Sequence, residues 1–298
     1  MKRIFVFCLA FASIFSINAT GKKSAGSKEM ALQLYSIRTL IKSPELYAQN
    51  HEKVFKQLKE FGYTAVEAAN YNDGKFYGVP PEQYRKDVEA AGLVSLSSHT
   101  QHRLTPEELK NHDFKAALAW WKEAIQAHKK AGLKYIISPS ETFPNTLEEA
   151  QTLCDYHNEI GKLCAAEGMK HGYHSHSFEF KKIGNTNEMW YDYFVQHTDP
   201  KYVFFQLDVY WCMMAQQSPC EYFKKYPGRF TCLHIKDKYE LGESGMVGFD
   251  AIFKAYKTSG MKDYVVELER TDGTIDIMEG VKRSAKYLLS NDFVKSSY

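Results

Sequence analysis

The sequence predicts an α/β protein, a single (β/α)8 TIM barrel behind an N-terminal signal peptide, and three observations carry that reading. Eight short apolar runs recur along the chain, longer amphipathic stretches fill the spaces between them, and several of those stretches stop at a glycine. The runs centre on Gln33, Val66, Leu96, Ile137, Tyr173, Gln206, Leu233 and Val266, so successive centres lie 27 to 41 residues apart, about the length of one strand–helix unit. No Gly-x-Gly-x-x-Gly or phosphate-loop motif favours a doubly wound sheet, and no Pro- or Ser-rich linker divides the chain.

The elements follow in order. Lys2 and Arg3 precede an apolar run from Ile4 to Ile17, and Asn18, Ala19 and Thr20 follow it. A basic start, a short apolar segment and a small residue before polar chain read as a secretory signal, since a membrane span needs ~20 apolar residues. Residues 1–19 are read as the signal peptide, 20–28 as a flexible segment and 29–298 as the barrel. The expected location is the periplasm, with no membrane span.

The strands are read in MALQLYSI, TAVEAAN, LVSLSSHT, KYIISPS, MKHGYHSH, VFFQLDVYW, FTCLHIKD and DYVVELE. Helices are read over Pro44–Phe61, Pro80–Ala91, Asp113–Ala131 and Leu147–Glu167, the four that end at Gly62, Gly92, Gly132 and Gly168. Shorter helices are read over Glu188–His197, Ser218–Tyr226 and Phe249–Ser259, and Ile275–Leu289 closes the chain. Gly242, Gly245 and Gly248 make the loop after the seventh strand the expected mobile segment.

Composition narrows the function. With 38 basic and 36 acidic residues there is no cationic excess, which argues against nucleic acid as a partner. Cys154, Cys164, Cys212, Cys220 and Cys232 remain after the leader, an odd number without a Cys-x-x-Cys, and read as buried apolar residues rather than a disulfide framework.

In a barrel of this kind function sits at the C-terminal ends of the strands. There the chain places His99 on the third strand, His174 and His176 on the fifth with Glu179 just beyond, and Gln206 and Asp208 on the sixth. His234 and Lys236 follow on the seventh, and Glu267 and Glu269 on the eighth. A strand has a period of two, so each pair shares one face. Asp208, His234 and Glu267 are then one strand apart each. Carboxylate and imidazole together suit Mn²⁺, Zn²⁺, Co²⁺ or Mg²⁺. Taken singly each has a structural alternative: Asp208 could cap the next helix, and Glu269 could pair with a neighbouring cation. Tyr35, Phe178, Phe180, Tyr210 and Trp211 near these ends suit either core packing or a platform for a sugar ring.

The segments LQLYSIR, GYHSHSFEF, FFQLDVYW, CLHIKD and YVVELE, in this order, resemble the sugar phosphate isomerase/epimerase family of xylose-isomerase-like barrels. The resemblance covers essentially the whole chain after the leader. It implies one divalent metal held by a residue of the fifth-strand region, an Asp of the sixth, a His of the seventh and a Glu of the eighth. Those positions are Glu179, Asp208, His234 and Glu267, with His176 the second candidate for the first of them. Many epimerases of the superfamily carry a His three residues after the sixth-strand Asp, where this chain has Trp211.

Such a site implies proton transfer beside a carbonyl through an enediolate. Glu179 and Glu267 are the expected bases, with Lys236, His176 and His99 as acids or orienting donors. Gln33, Arg38, His174 and Trp211 are the further candidates for reaching substrate. The expected function is a metal-dependent isomerase or epimerase of a non-phosphorylated sugar or keto-sugar, because an exported protein lacks the usual pool of sugar phosphates. The alternatives are a lyase or dehydratase of a keto-sugar or keto-glycoside, and a non-catalytic exported carbohydrate-binding protein. Homo-oligomerisation stays open.

Overall fold

A computed structural model describes residues 28–295. Residues 1–27, which include the segment read as a signal peptide, lie outside the described residues. Eight parallel strands form the barrel: β1 (Met30–Gln33), β2 (Ala65–Ala68), β3 (Val94–His99) and β4 (Tyr135–Ser138), then β5 (Lys170–His174), β6 (Val203–Gln206), β7 (Cys232–Lys236) and β8 (Asp263–Glu267). Each pairs with its neighbours in chain order, so the sheet runs β6–β5–β4–β3–β2–β1–β8–β7. A bridge between Asp208 and His234, with the His234 amide donating to the Leu207 carbonyl at 3.0 Å, brings the two ends together just past β6. The ring is therefore nearly closed.

The principal helices are α1 (Pro44–Phe61), α2 (Pro81–Ala90), α3 (Lys115–Lys130) and α4 (Leu147–Ala166), followed by α5 (Trp190–His197), α6 (Pro219–Lys225), α7 (Phe249–Lys254) and α8 (Ile277–Ser290). Their ends are chemically marked. Ser43 caps α1 by accepting from the Leu46 amide, Pro44 occupies the first turn, and Gly62 ends the helix at φ 101°. Along α1, Tyr47, Val54, Phe55 and Leu58 form the buried stripe that packs on the strands. Thr146 and Asp276 cap α4 and α8 in the same way.

Four local features depart from the sequence reading. MALQLYSI is a strand only as far as Gln33, whose side chain accepts from the Tyr35 amide and turns Leu34–Ile37 into a 3-10 helix. A two-stranded ribbon, Tyr71–Asn72 with Lys75–Phe76, and a capped helix, Pro106–Asn111, follow β2 and β3. VFFQLDVYW is a strand only to Gln206, because Asp208 caps a short helix, Val209–Met214. Phe249–Ser259 is broken into Phe249–Lys254 and Tyr256–Ser259. The five described cysteines are free, and all but the half-buried Cys220 are buried, as expected of apolar packing residues.

The barrel interior is layered. Ala31, Ala65, Leu96, Tyr135, Ile137, Phe204, Cys232 and Val265 form a small apolar cluster of their own, separate from the larger core between strands and helices. Two residues further along their strands stand Gln33, Glu67, Gln206, His234 and Glu267, all buried. The interior thus changes from apolar to polar within one strand period. In β3 a register shift lets Val66 pair with Ser95 and Glu67 with Ser97, leaving Leu96 as the extra residue. That bulge sends Leu96 to the apolar cluster and turns Ser97 and His99 toward the polar layer.

Beneath this layer Gly172 provides the space that Phe204 fills: a Cβ there would fall 2.5 Å from the Phe204 ring. Gly172→Ala is expected to destabilise the protein by about 1–3 kcal/mol through overpacking. Urea unfolding of the two proteins checks it, and an unchanged midpoint would show that the ring moves aside freely.

Candidate metal centre and active site

Asp208, His234 and Glu267 converge at the C-terminal mouth of the barrel. His234 Nδ1 lies 3.2 Å from Asp208 Oδ2 and 3.8 Å from Glu267 Oε2. One ligand atom from each of the three falls within 4.8 Å of the others, and all three residues are buried. Asp208 has two duties, since its Oδ1 accepts from the Trp211 amide at 2.8 Å while Oδ2 faces His234. The capping role read from sequence thus leaves Oδ2 turned toward the centre. Burial favours the neutral form of His234, but hydrogen bonds to Asp208 and Glu67 and the charge of Glu267 outweigh it and push the ring up to about 10. Burial raises the Glu267 carboxyl above its ordinary range, against the pull of His234 and Lys236.

These donors fit a divalent cation. Two carboxylate oxygens and one imidazole nitrogen face a common point, and the ring that faces them carries positive charge where a cation would relieve the same crowding. His176 Nδ1 nearby is buried without a hydrogen-bond partner.

The layer below holds a residue that the sequence reading did not single out. Glu67, in the middle of β2, is fully buried and receives five side chains. Gln33 Nε2 donates to its Oε1 at 2.7 Å, with His99 Nε2 at 3.0 Å and His234 Nε2 at 3.3 Å from the same oxygen. Ser97 Oγ and Gln206 Nε2 donate to Oε2 at 2.6 and 2.9 Å. Burial alone would raise this carboxyl, yet His99 and His234 outweigh it and hold the group well below the ordinary carboxylate range. A lone Glu within an apolar strand, at the inward parity of Ala65, was the available signal.

The other candidates fall into three groups. His99, His174 and His234 form a second cluster whose ring nitrogens lie within 4.8 Å of one another. Gln206 Oε1 links the first two, 2.9 Å from His99 Nε2 and 3.1 Å from His174 Nδ1. Burial, with the neighbouring His234, holds His174 well below the usual imidazole range.

Lys236 Nζ lies 3.6 Å from Glu267 and 3.3 Å from Glu269, and 5.7 and 5.9 Å from the Tyr210 and Trp211 ring centres. Trp211 approaches the site through its ring, 6.1 Å from that of His176.

Three further candidates are engaged around the centre. Glu179 sits in the turn Phe178–Phe180, where Tyr173 OH and the His176 amide each donate to it at 2.8 Å. Tyr173 packs on Phe194 of α5, and Glu179 Oε1 lies 4.0 Å from His176 Nδ1, with the charge of Asp208 near enough to act on its carboxyl. Arg38 lies on the helix Arg38–Ile41 beyond β1, where it donates to the carbonyls of Tyr35 and Glu269 and stacks on the Tyr35 ring. Gln33 is committed to Glu67 and the Tyr35 amide.

A cavity of about 520 Å³ opens above the centre. His99, His174, His176, Glu267 and Glu269 line it together with Tyr35, Tyr71 and Asn70, and no lysine or arginine is among its lining residues.

The structure thus defines a class: a TIM barrel with a carboxylate–imidazole centre under a polar cavity at its C-terminal mouth. The chain belongs to the xylose isomerase-like TIM barrel family, whose model matches residues 55–291. It is similar to two solved proteins from Parabacteroides distasonis ATCC 8503, both sugar phosphate isomerase/epimerases. The first is 35% identical with a TM-score of 0.80, covering 90% of this chain and 100% of that one. The second is 34% identical with a TM-score of 0.80, covering 93% and 99%. At the level of fold it is similar to an L-ribulose 3-epimerase, 12% identical with a TM-score of 0.70 over 91% of this chain and 96% of that one. No protein among the curated sequences matches it.

Burial pushes the Glu179 carboxyl up to about 7, against hydrogen bonds from Tyr173 and His176 that favour its charge. The folded protein holds this proton longer than the unfolded chain, so the group's stabilising share is complete below pH ~4.5 and fades as pH rises through ~7. Glu179→Gln, which has no charge to bury, is therefore expected to gain on the parent by up to about 3 kcal/mol between pH 5 and pH 8. Unfolding both proteins in urea at the two pH values measures this. An equal difference at both would mean that the carboxyl is ionised throughout.

Proposed function

We propose that this chain is a metal-dependent isomerase or epimerase of a non-phosphorylated sugar or keto-sugar, acting outside the cytoplasm. The observation that carries the reading is the convergence of Asp208, His234 and Glu267 beneath a cavity walled by further proton-handling groups. The names of the Parabacteroides relatives, sugar phosphate isomerase/epimerases, support the general kind of reaction. The exported location rests on the Lys2–Ala19 pattern alone.

A divalent ion held by Asp208, His234 and Glu267 would supply Lewis acidity toward a substrate carbonyl. The chain's own residues do the rest. His176, just past β5, and Glu269, just past β8, reach the cavity from strands three apart around the ring. In this reading they take and return the proton on the carbon beside the carbonyl. His99 and His174 orient hydroxyls from the floor. Glu179, 4.0 Å from His176 Nδ1, stands behind that ring.

The lining argues for an uncharged substrate. A phosphate in this cavity would meet Glu267 and Glu269 with no arginine or lysine among the lining residues to receive it. Lys236 is already paired with the same two carboxylates. A second reading is elimination from a keto-sugar or keto-glycoside, in which Lys236 would reach a departing oxygen through the Glu267 and Glu269 carboxylates it pairs with.

Elemental analysis of the purified protein is expected to find about one divalent metal per chain. Asp208→Ala and His234→Ala are each expected to lose it, together with about a thousandfold in turnover. Incubation with neutral sugars and keto-glycosides in heavy water should give an isomer deuterated beside the carbonyl. An unsaturated product would move the lyase reading forward. Tight sugar binding without any product, and without metal after reloading, would leave a carbohydrate-binding protein.

A further inference from the structure

The hydrogen-bond chain beginning at Glu67 has only one self-consistent assignment of protons. Gln206 places one end of its amide 2.9 Å from Glu67 Oε2. A carboxylate oxygen only accepts, so that end is the NH2 group and the opposite end is the carbonyl. The carbonyl oxygen, Oε1, then lies 3.1 Å from His174 Nδ1 and 2.9 Å from His99 Nε2. It too only accepts, so both ring nitrogens carry hydrogen. His99 Nε2 is confirmed in that role by Glu67 Oε1 at 3.0 Å. The third ring follows directly: His234 Nε2 faces Glu67 Oε1 at 3.3 Å and donates to it, while Nδ1, 3.2 Å from Asp208 Oδ2, carries the second hydrogen, the one a cation would displace.

We propose that Glu67 is the positioning residue of this site, a buried carboxylate that sets the tautomer of His174 and holds the Nε2 hydrogen of His234, and so decides which nitrogen each presents to substrate or metal. Through Gln206 it keeps the hydrogen of neutral His174 on Nδ1 and leaves the Nε2 lone pair free in a residue that lines the cavity. By holding the Nε2 hydrogen of His234 it reserves Nδ1 for the cation, the carboxylate–histidine–metal arrangement that fixes ring orientation and ligand basicity. The His234 arm rests on the metal reading above. The His174 arm does not.

The experiment is long-range ¹H–¹⁵N correlation NMR of [¹⁵N]histidine-labelled protein, metal-free and loaded with Zn²⁺, with His174→Asn and His234→Asn assigning the rings. The metal-free parent is expected to show His174 with hydrogen on Nδ1 alone. The Zn²⁺ form is expected to show His234 bound through Nδ1 with its Nε2 hydrogen retained. Glu67→Gln is expected to mix the His174 tautomers, because Gln206 is no longer held one way round. It should also weaken Zn²⁺ binding by about 10- to 100-fold in calorimetry, with an unchanged circular dichroism spectrum.

A parent with His174 hydrogen on Nε2 overturns the proposal, as does a Glu67→Gln protein with the parent's tautomers and Zn²⁺ affinity. If Glu67→Gln does not fold, the parent spectra decide alone. A parent that takes no Zn²⁺ removes the metal reading, while the His174 tautomer, read without metal, still upholds or overturns the role of Glu67.

Discussion

A carboxylate buried at the axis of a barrel is the constraint on which the rest of this structure depends. Removing Glu67 from water costs several kcal/mol unless its lone pairs are met by donors. The barrel meets them with side chains from β1, β3, β6 and β7, on both sides of β2. Each commitment has a consequence at the next residue. Gln33 turns the chain after β1, Ser97 requires the bulge in β3, and Gln206 reaches two histidines at once. The polar layer is a single network that ties half the strands to one charge.

His234 is where that network meets the mouth. One ring nitrogen faces Glu67 below and the other faces Asp208 and Glu267 above. Its position is thus fixed from both sides by carboxylates on three other strands or strand ends. A ligand held this way loses little freedom when a cation arrives, which is how supporting hydrogen bonds raise metal affinity. Asp208 is fixed in a comparable manner, because the helix it caps also locks its rotamer.

The sequence made the eight strands and the three central ligand candidates readable, and for physical reasons. Apolar runs bounded by glycine stops are local signals, and Asp208, His234 and Glu267 lie on consecutive strands at matching parity. What stayed hidden depends on contacts far apart in the chain. Glu67 occurs in TAVEAAN without a charged neighbour, and its five partners lie 30 to 167 residues away or 34 on the other side. The bulge at Leu96 shifts parity inside a run of serines that gives no local cue. Glu179 follows a strand that has already ended at His174, so the period of two no longer governs where its side chain goes. Arg38 moved for the same reason at β1, where a 3-10 turn replaced the second half of the expected strand.

The charge balance at the mouth constrains what this barrel can accept. Asp208, Glu267 and Glu269 stand against the Lys236 ammonium, which is paired with two of them, and the His234 ring, 3.2 Å from the third. Glu67 adds a fourth carboxylate, but five donors absorb it from below. Glu267 and Glu269 line the cavity and neither Lys236 nor His234 does, so the face turned to a ligand is acidic. On the proposed reading such a face would favour a divalent cation and work against a phosphorylated ligand unless that cation were already bound. The aromatic side chains at the rim, Tyr35 and Tyr71, complete a surface suited to the apolar face of a sugar ring above hydroxyl-binding groups. On that reading the acidic floor and the aromatic rim would favour the same ligand: polar, uncharged and flat on one side.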